Sequence, residues 1–331
     1  MRALIACLLS FTLLAAAPAR AACYGMNLLD LMPAEDRARI EAAAAAVPFP
    51  EGNLWTARKG DQSLTVVGTY HLDDPRHDAT LARLTPLVEE ASALLVEAGP
   101  EEEKQLLDRI ARDPSVMMIT EGPTLIELLP PETWTRLKQA MSARGIPGFM
   151  AAKFQPWYVT VMLSVPPCAM SEMTQPKGLD GLLIDAAKAA EIPVRALEPY
   201  DTVFTIFELF NQQDQVAMID QTLIMEPASA DFSATLADAY FDGQSQLTWE
   251  LMREQSYAMP GYTRAQVDAE MAALEEVLIS RRNLSWIPVI DAAAAQGPLV
   301  VAFGALHLPG EKGVLNLLAQ DGWTVTPLPL P

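Results

Sequence analysis

Histidine and cysteine are both scarce in this sequence, with three of each among 331 residues. The common motifs that depend on them are missing, since the sequence contains no HExxH pair and no CxxC pair. It also contains no GxSxG elbow and no Walker A phosphate loop. These absences exclude zincins, thioredoxin-like proteins, serine hydrolases of the α/β-hydrolase type and P-loop enzymes.

Positive charge is also in short supply. The chain has 23 basic and 42 acidic residues, and its formal net charge is -19 at pH 7. A strongly acidic protein repels polyanions, so this balance disfavours nucleic acid as a partner. The acidity itself is explained by solubility and does not require a cationic substrate.

One long apolar run is present, and it lies at the N-terminus. Residues 3–17 are apolar, Arg2 precedes them, and Ala19-Arg20-Ala21 follows them as a small-x-small cleavage signal. We therefore interpret residues 1–21 as a secretory signal peptide.

No later stretch is long and apolar enough to span a bilayer, so the sequence predicts a soluble periplasmic or secreted protein. Cys23 follows small residues, as in a lipoprotein signal, but Arg20 stands where that signal requires an aliphatic residue. Lipidation is therefore disfavoured.

Two cysteines remain once Cys7 is removed with the signal peptide. Cys23 and Cys168 would lie in an oxidising compartment, where such a pair often forms a disulfide. Two separate thiols are the alternative, because the sequence gives no distance between them.

The apolar pattern alternates between short runs rich in β-formers and longer segments with helical period. Strands are predicted at residues 64–68, 93–97, 193–197, 299–304 and 323–327, and helices at 37–46, 78–92, 182–191 and 265–282. The region from about 101 to 290 is mainly helical. The sequence thus predicts a single α/β domain over residues 22–331, whose mainly parallel or mixed sheet is built from both ends of the chain around a large helical insertion.

The same GxxH pattern follows two of these strands. Gly68 and His71 form the first copy, and Gly304 and His307 form the second. We expect each glycine to let the backbone turn at the end of its strand. Because ligands bind at the carboxyl edge of such sheets, we expect the two imidazoles to converge on one site.

Several motifs together resemble the TraB/PrgY/GumN family. Besides the two GxxH motifs, these are the glutamate-bearing segment 94–99, the segment 153–157, the Gly-Leu-Asp turn at 178–180 and the C-terminal segment 304–310. The resemblance extends over most of the chain and keeps the order of the family. It implies an α/β fold in which the paired histidines and a glutamate form the active site. Relatives in this family include the metal-dependent Tiki proteases. Function varies across the family, so the resemblance bears more on the site than on the substrate.

Chemistry leads to the same residues. Two neutral imidazoles and one carboxylate supply three ligands for a divalent metal and leave a position for water. His71, His307 and Glu97 would hold manganese, cobalt or zinc, and the bound water would attack a carbonyl. Glu198 is the candidate general base, and Arg282 could stabilise an oxyanion or a substrate carboxylate.

Each assignment has a structural alternative. The histidines could be buried and satisfied by backbone groups, and Glu97 could form a salt bridge with an arginine. Glu198 and Arg282 could serve structure alone. Asp180 is predicted to cap the helix that follows it, and His77 to lie at a polar helix start near the mouth of the site.

Three functions are compatible with these patterns. The first is a metal-dependent hydrolase that acts on peptides or on a related amide or ester. The second is a non-catalytic binding protein for a peptide, a metal or haem. The third is a metal-free hydrolase in which a histidine and Glu97 activate water. We take the first as the main hypothesis.

Overall fold

The computed structural model describes residues 23–173, 177–259 and 261–328. The expected signal peptide at residues 1–21 lies outside the described residues. Within them, six strands form one sheet: β1 (Leu54–Lys59), β2 (Gln62–Thr69), β3 (Ala93–Val96), β4 (Val194–Ala196), β5 (Leu299–Gly304) and β6 (Thr324–Pro327).

The sheet is mixed, with strand order β4-β3-β5-β2-β1-β6. The four strands β4, β3, β5 and β2 are parallel to one another, whereas β1 is antiparallel to both β2 and β6. In the β2–β5 pair, Gly68 lies opposite Phe303 and Thr69 opposite Gly304. This register places both GxxH motifs at one edge of the sheet, and it confirms the predicted α/β class.

Helices surround the sheet and fill the region between β3 and β5. They are α1 (Leu28–Leu31), α2 (Ala34–Ala45), α3 (His77–Glu89), α4 (Pro100–Arg112), α5 (Leu125–Leu128), α6 (Pro131–Ala143), α7 (Gly148–Ala151), α8 (Pro156–Ser164), α9 (Leu179–Ala189), α10 (Thr202–Glu208), α11 (Gln212–Met225), α12 (Ser229–Phe241), α13 (Ser245–Tyr257), α14 (Arg264–Glu275), α15 (Arg281–Ala294) and α16 (Val314–Gln320). Among the described residues between β3 and β5, only β4 is a strand, as the sequence predicted.

The sheet separates two hydrophobic clusters. Because side chains alternate along a strand, Leu95 of β3 faces a cluster that includes Trp286 of α15. Leu94 faces the opposite cluster, which includes Leu84 of α3 and Leu183 of α9. A further cluster in the insertion joins α6, α8 and α11. Burial on both faces explains why β3 and β5 are almost wholly apolar.

A disulfide joins Cys23 to Cys168, with an S–S distance of 2.04 Å and a sequence separation of 145 residues. It links the start of the described chain to the helical insertion.

Among the described residues, no helix has both the length and the apolarity that a membrane crossing demands.

Candidate active site

Four polar side chains follow the ends of four neighbouring parallel strands. His71 comes after β2, Glu97 after β3 and Glu198 after β4, while His307 ends a short 3-10 turn after β5. The carboxyl ends of parallel strands meet at one edge, where α/β proteins place their ligands. The structure therefore brings these four predicted residues to the same edge of the sheet.

Arg282 connects three of them. Its Nη2 donates to Glu97 Oε2 at 2.5 Å and to Glu198 Oε1 at 2.8 Å, and its Nε donates to Glu198 Oε2 at 2.8 Å. Its Nη1 lies 3.1 Å from Nε2 of His307. The Arg282 side chain is only 16% exposed, so these charge-assisted contacts are shielded from water.

A π-helical turn directly precedes the helix that carries Arg282. Glu276–Ser280 forms the turn between α14 and α15, and Arg282 is the second residue of α15. The Arg282 Nη1 also donates to the Leu278 carbonyl at 3.1 Å, within that turn. Irregular turns of this kind often occur at functional sites. The sequence predicted one continuous helix over residues 265–282, and that prediction missed the turn.

Asn283 fixes the ring of His307. Its Oδ1 lies 2.6 Å from His307 Nδ1, and its Nδ2 donates to the carbonyls of His307 and Lys312 at 3.2 and 2.8 Å. An amide oxygen can only accept, so His307 carries its proton on Nδ1 and presents a lone pair on Nε2. Burial lowers the pKa of His307 to about 3, which keeps the ring neutral.

Asp180 holds the other histidine in the same way. Its Oδ1 lies 3.0 Å from His71 Nδ1, so that Nε2 of His71 is free to face the site. Desolvation opposes a charge on this ring, but the hydrogen bond and the charge of Asp180, assisted by Glu97, raise the pKa of His71 to about 9. The two imidazoles are thus oriented alike and charged differently.

Gly304 sits between the first histidine and the glutamate. Its N–H donates to Glu97 Oε1 at 2.6 Å. A Cβ at this position would lie 3.3 Å from both Glu97 Oε1 and His71 Nε2. Burial opposes the charge on Glu97, but neighbouring cationic groups, with Arg282 in direct contact, and this N–H lower the pKa of Glu97 to about 2.

The motif glycines act through close packing at the ends of their strands and not through a left-handed backbone conformation. Gly304 has a φ of -49°, and Gly68 lies inside β2, so neither needs a left-handed conformation. Gly68 is required for packing instead, because a Cβ there would lie 2.5 Å from Leu308 Cδ1. Both glycines bring neighbouring groups close together.

Glu198 lies behind Arg282. Its two carboxylate oxygens accept from Arg282, and Oε2 also lies 3.2 Å from Trp286 Nε1. Burial raises the pKa of Glu198, and the adjacent guanidinium opposes that rise. This arrangement favours a role in holding Arg282 over the predicted role of general base.

Two further predictions are corrected by the structure. Asp180 does not cap its helix, because Gly178 occupies the N-cap position and Asp180 contacts His71 instead. His77 begins α3 but is only 1% exposed, and its Nε2 lies 3.0 Å from the Leu72 carbonyl. It contacts the backbone of the loop after His71 and does not line the opening of the site.

The partners of the two imidazoles were not predicted from the sequence. Asn283 follows Arg282 directly, and a polar residue on the buried face of an otherwise apolar helix was the available signal. The signal for Asp180 was its place in the Gly-Leu-Asp turn at 178–180, but an acidic residue in the first turn of a helix is also explained by the helix dipole.

The donor set suits a divalent metal, although the side chains are not gathered around one point. His71 and His307 each present an Nε2, with Nδ1 held by a second group, as metal-bound histidines commonly do. Glu97 Oε1 lies 4.0 Å from His307 Nε2, and Arg282 contacts both residues. No group of three or more His, Cys, Asp or Glu side chains in the described part of the chain is placed to hold a metal ion.

Fold and site together define an α/β protein with a His–Glu–Arg centre at the carboxyl edge of a mixed sheet. The chain belongs to the TraB/PrgY/gumN family, whose family model matches residues 53–327. The matched region contains every residue of the candidate site, and it confirms the family resemblance of the sequence motifs. Comparison with curated proteins and with solved structures gives no match.

Proposed function

We propose that this protein is a metal-dependent hydrolase of peptides or of a related amide or ester. The observation that carries the proposal is that two imidazoles, each held through Nδ1, and an ionised glutamate lie at the same edge of the sheet. His71, His307 and Glu97 would hold the metal, which supplies an acidified water and polarises the scissile carbonyl. Arg282 Nη1 lies 3.1 Å from His307 Nε2, so a metal held by His307 would displace that contact.

The other residues have supporting roles in this proposal. Arg282 is held by Glu198 and Glu97, and its Nη1–H that faces His307 would be released by the metal and would donate to the oxyanion that forms during attack. Asp180 and Asn283 keep the two imidazoles in the tautomer that presents Nε2. Gly304 leaves open the space beside His71 Nε2 that a side chain would fill.

The disulfide supports an extracytoplasmic location. Disulfides persist in oxidising compartments and are rare in the cytosol. The Cys23–Cys168 bond therefore favours the periplasmic or secreted location that the sequence predicted.

The decisive experiment measures bound metal and hydrolysis together. Protein loaded separately with manganese, cobalt and zinc is analysed for metal content and assayed on a peptide library with and without chelator. We expect about one equivalent of one metal, loss of activity with chelator, and at least a 100-fold lower kcat/KM in His307→Ala. Asp185→Asn is a control, because Asp185 lies on α9 with a side chain that is 78% exposed. The absence of stoichiometric metal from all three preparations, or unchanged hydrolysis in His307→Ala, would count against the proposal.

A metal-free hydrolase is the second candidate, and the contact between His71 and Asp180 favours it specifically. In this mechanism the neutral form of His71 removes a proton from water through Nε2, and Asp180 stabilises the imidazolium that forms. Because the pKa of His71 is about 9, the rate of this reaction should rise as the pH approaches 9. Arg282 would stabilise the oxyanion through its charge, because its N–H groups already contact Leu278, His307, Glu97 and Glu198. Full activity in chelator that is lost in Asp180→Asn would select this mechanism over the first.

A further inference from the structure

A cavity of about 310 Å³ lies among α8, α11, α12, α13 and α14 in the helical insertion. None of its lining residues belongs to the candidate active site. Its volume falls at the lower end of the range for small-molecule sites. It is about twice the roughly 150 Å³ of an apolar cavity that binds benzene, so it has room for a molecule of about twelve non-hydrogen atoms.

The wall of the cavity is apolar and adaptable. Four methionines contribute to it, together with Phe232 on α12. The four are Met225, Met252, Met259 and Met271. Methionine is flexible and polarizable, and it is common on surfaces that accept apolar ligands of variable shape. A linear alkyl chain suits such a wall better than a rigid ring system does.

One polar group in the wall lacks a partner. Gln255 lines the cavity, and its Oε1 is buried without a hydrogen bond to any described residue. Other polar side chains in the wall are satisfied internally, since the Thr222 and Ser256 hydroxyls donate to backbone carbonyls at 2.8 Å. An unpaired buried acceptor costs about 1–3 kcal/mol. A ligand amide, brought into contact by rotation of the Gln255 side chain, would satisfy it.

The charges at the cavity favour a neutral head group. Among the described residues that line it, none is basic. Glu226 is acidic, but it is already paired with Arg144, whose side chain is fully buried. An anionic head group would therefore be repelled by Glu226, because none of the described residues that line the cavity is basic. A cationic head group would gain little from Glu226, because that carboxylate is already paired with Arg144.

We propose that this cavity binds a neutral fatty amide, with an alkyl chain of about ten carbons against the methionines and the amide group on Gln255. The inference is independent of the proposed hydrolysis, because the cavity and the active site share no residue. It assigns a ligand-binding function to the helical insertion.

Decanamide binding to the full mature protein tests the proposal by isothermal titration calorimetry. Met225→Trp fills the cavity and should weaken binding at least 10-fold, whereas Met150→Trp on α7, at a side chain that is 42% exposed, should leave it unchanged. Gln255→Leu keeps the volume and should weaken decanamide binding about 3- to 10-fold. Decanoate at pH 8 should bind at least 10-fold more weakly than decanamide.

Several results would overturn the proposal. They are the absence of saturable binding up to the solubility limit of decanamide, equal affinities in the two tryptophan variants, and decanoate binding as tight as that of decanamide. If circular dichroism shows that Met225→Trp is unfolded, Gln255→Leu decides the matter, and an affinity equal to that of the wild type then rejects the site.

Discussion

The two motif histidines differ because different side chains hold their Nδ1 atoms. Asp180 carries a negative charge and raises the pKa of His71 despite desolvation, whereas Asn283 is neutral and leaves burial to lower the pKa of His307. A repeated sequence motif therefore yields two chemically different imidazoles. The residues that contact the two rings, which lie outside both motifs, contribute to this difference, and so does the deeper burial of His307.

Replacing Asp180 should reduce the difference between the two pKa values. In metal-free protein, Asp180→Asn takes away the charge that favours the His71 imidazolium, so the pKa of His71 should fall from about 9 toward the ordinary value near 6.5. Side-chain NMR titration of the three histidines measures it. Asp185→Asn on the same helix is the matched control, and an unchanged His71 titration in Asp180→Asn would contradict the assignment.

Asp74 links stability to pH. It accepts hydrogen bonds from the Arg76 backbone N–H at 2.9 Å, Nε at 2.9 Å and Nη2 at 2.7 Å. Burial opposes its charge, but these bonds lower the pKa of Asp74. Because the folded-state pKa lies below the unfolded value of about 3.9, the ionised carboxylate stabilises the fold above about pH 4. That contribution is lost as the pH falls through the folded-state pKa.

We therefore expect Asp74→Asn to lower the free energy of unfolding by about 1–3 kcal/mol at pH 7 and by progressively less below about pH 4. Urea unfolding across a pH series measures the difference. Asp73→Asn serves as the comparison, since Asp73 has a side chain that is 41% exposed and a distant ion pair at 3.9 Å. A constant deficit from pH 7 to pH 2 would show that Asp74 acts without its charge.

At the scale of elements, five of the six strands were predicted from the sequence and β1 was missed. The predicted strand at residues 299–304 coincides with β5, because its burial on both faces requires an unbroken apolar run. The sequence analysis missed β1 (Leu54–Lys59), which ends in Arg58 and Lys59. Gly60 and Asp61 between β1 and β2 were the available signal, since Lys59 pairs with Gln62 across this two-residue turn.

Gly178 determines how closely α9 approaches the first motif. The Leu179 N–H donates to the Tyr70 carbonyl at 3.0 Å, and a Cβ on Gly178 would overlap the backbone of His71. Gly178→Ala must therefore separate the start of α9 from the loop. We expect a loss of about 1–3 kcal/mol in unfolding free energy and a fall in the pKa of His71, because Asp180 moves away with the helix.

Gly148→Ala is the matched control for that variant. A Cβ at Gly148 would meet mainly the flexible Lys138 side chain, whose Cγ would lie 2.9 Å away, so a small adjustment accommodates it. Urea unfolding and the NMR titration of His71 separate the two variants. If Gly178→Ala lowers stability but leaves the His71 titration intact, α9 does not position Asp180 in the way the structure indicates.

At the scale of the whole molecule, strand order assembles the candidate site. β5 lies between β3 and β2, which brings His307 beside residues more than two hundred positions earlier in the chain. The sequence predicted that both histidines lie at one strand edge, because each follows an apolar run. It could not predict that Arg282 would reach Glu97 and Glu198 together, since that depends on the π-helical turn and on the packing of α15 against the sheet.

The disulfide is the longest covalent constraint in the described chain, and its removal should lower the stability of the whole fold. It joins Cys23 to Cys168. Close to Cys23 in the chain, the Met26 and Leu28 N–H groups donate to side chains of α12 at 2.7 and 2.8 Å. Closing a loop of 145 residues restricts the unfolded chain, and the corresponding stabilisation is about 3–5 kcal/mol.

We therefore expect reductant to lower the urea midpoint of the native protein and to leave a Cys23→Ser/Cys168→Ser variant unaffected, since that variant is already at the lower midpoint. The hydrogen bonds of Met26 and Leu28 to α12 do not involve sulfur, so circular dichroism at zero denaturant should show the folded state in both proteins. Equal midpoints for oxidised and reduced native protein would mean that these noncovalent contacts alone hold the N-terminal segment, and that the bond contributes nothing to the unfolding free energy.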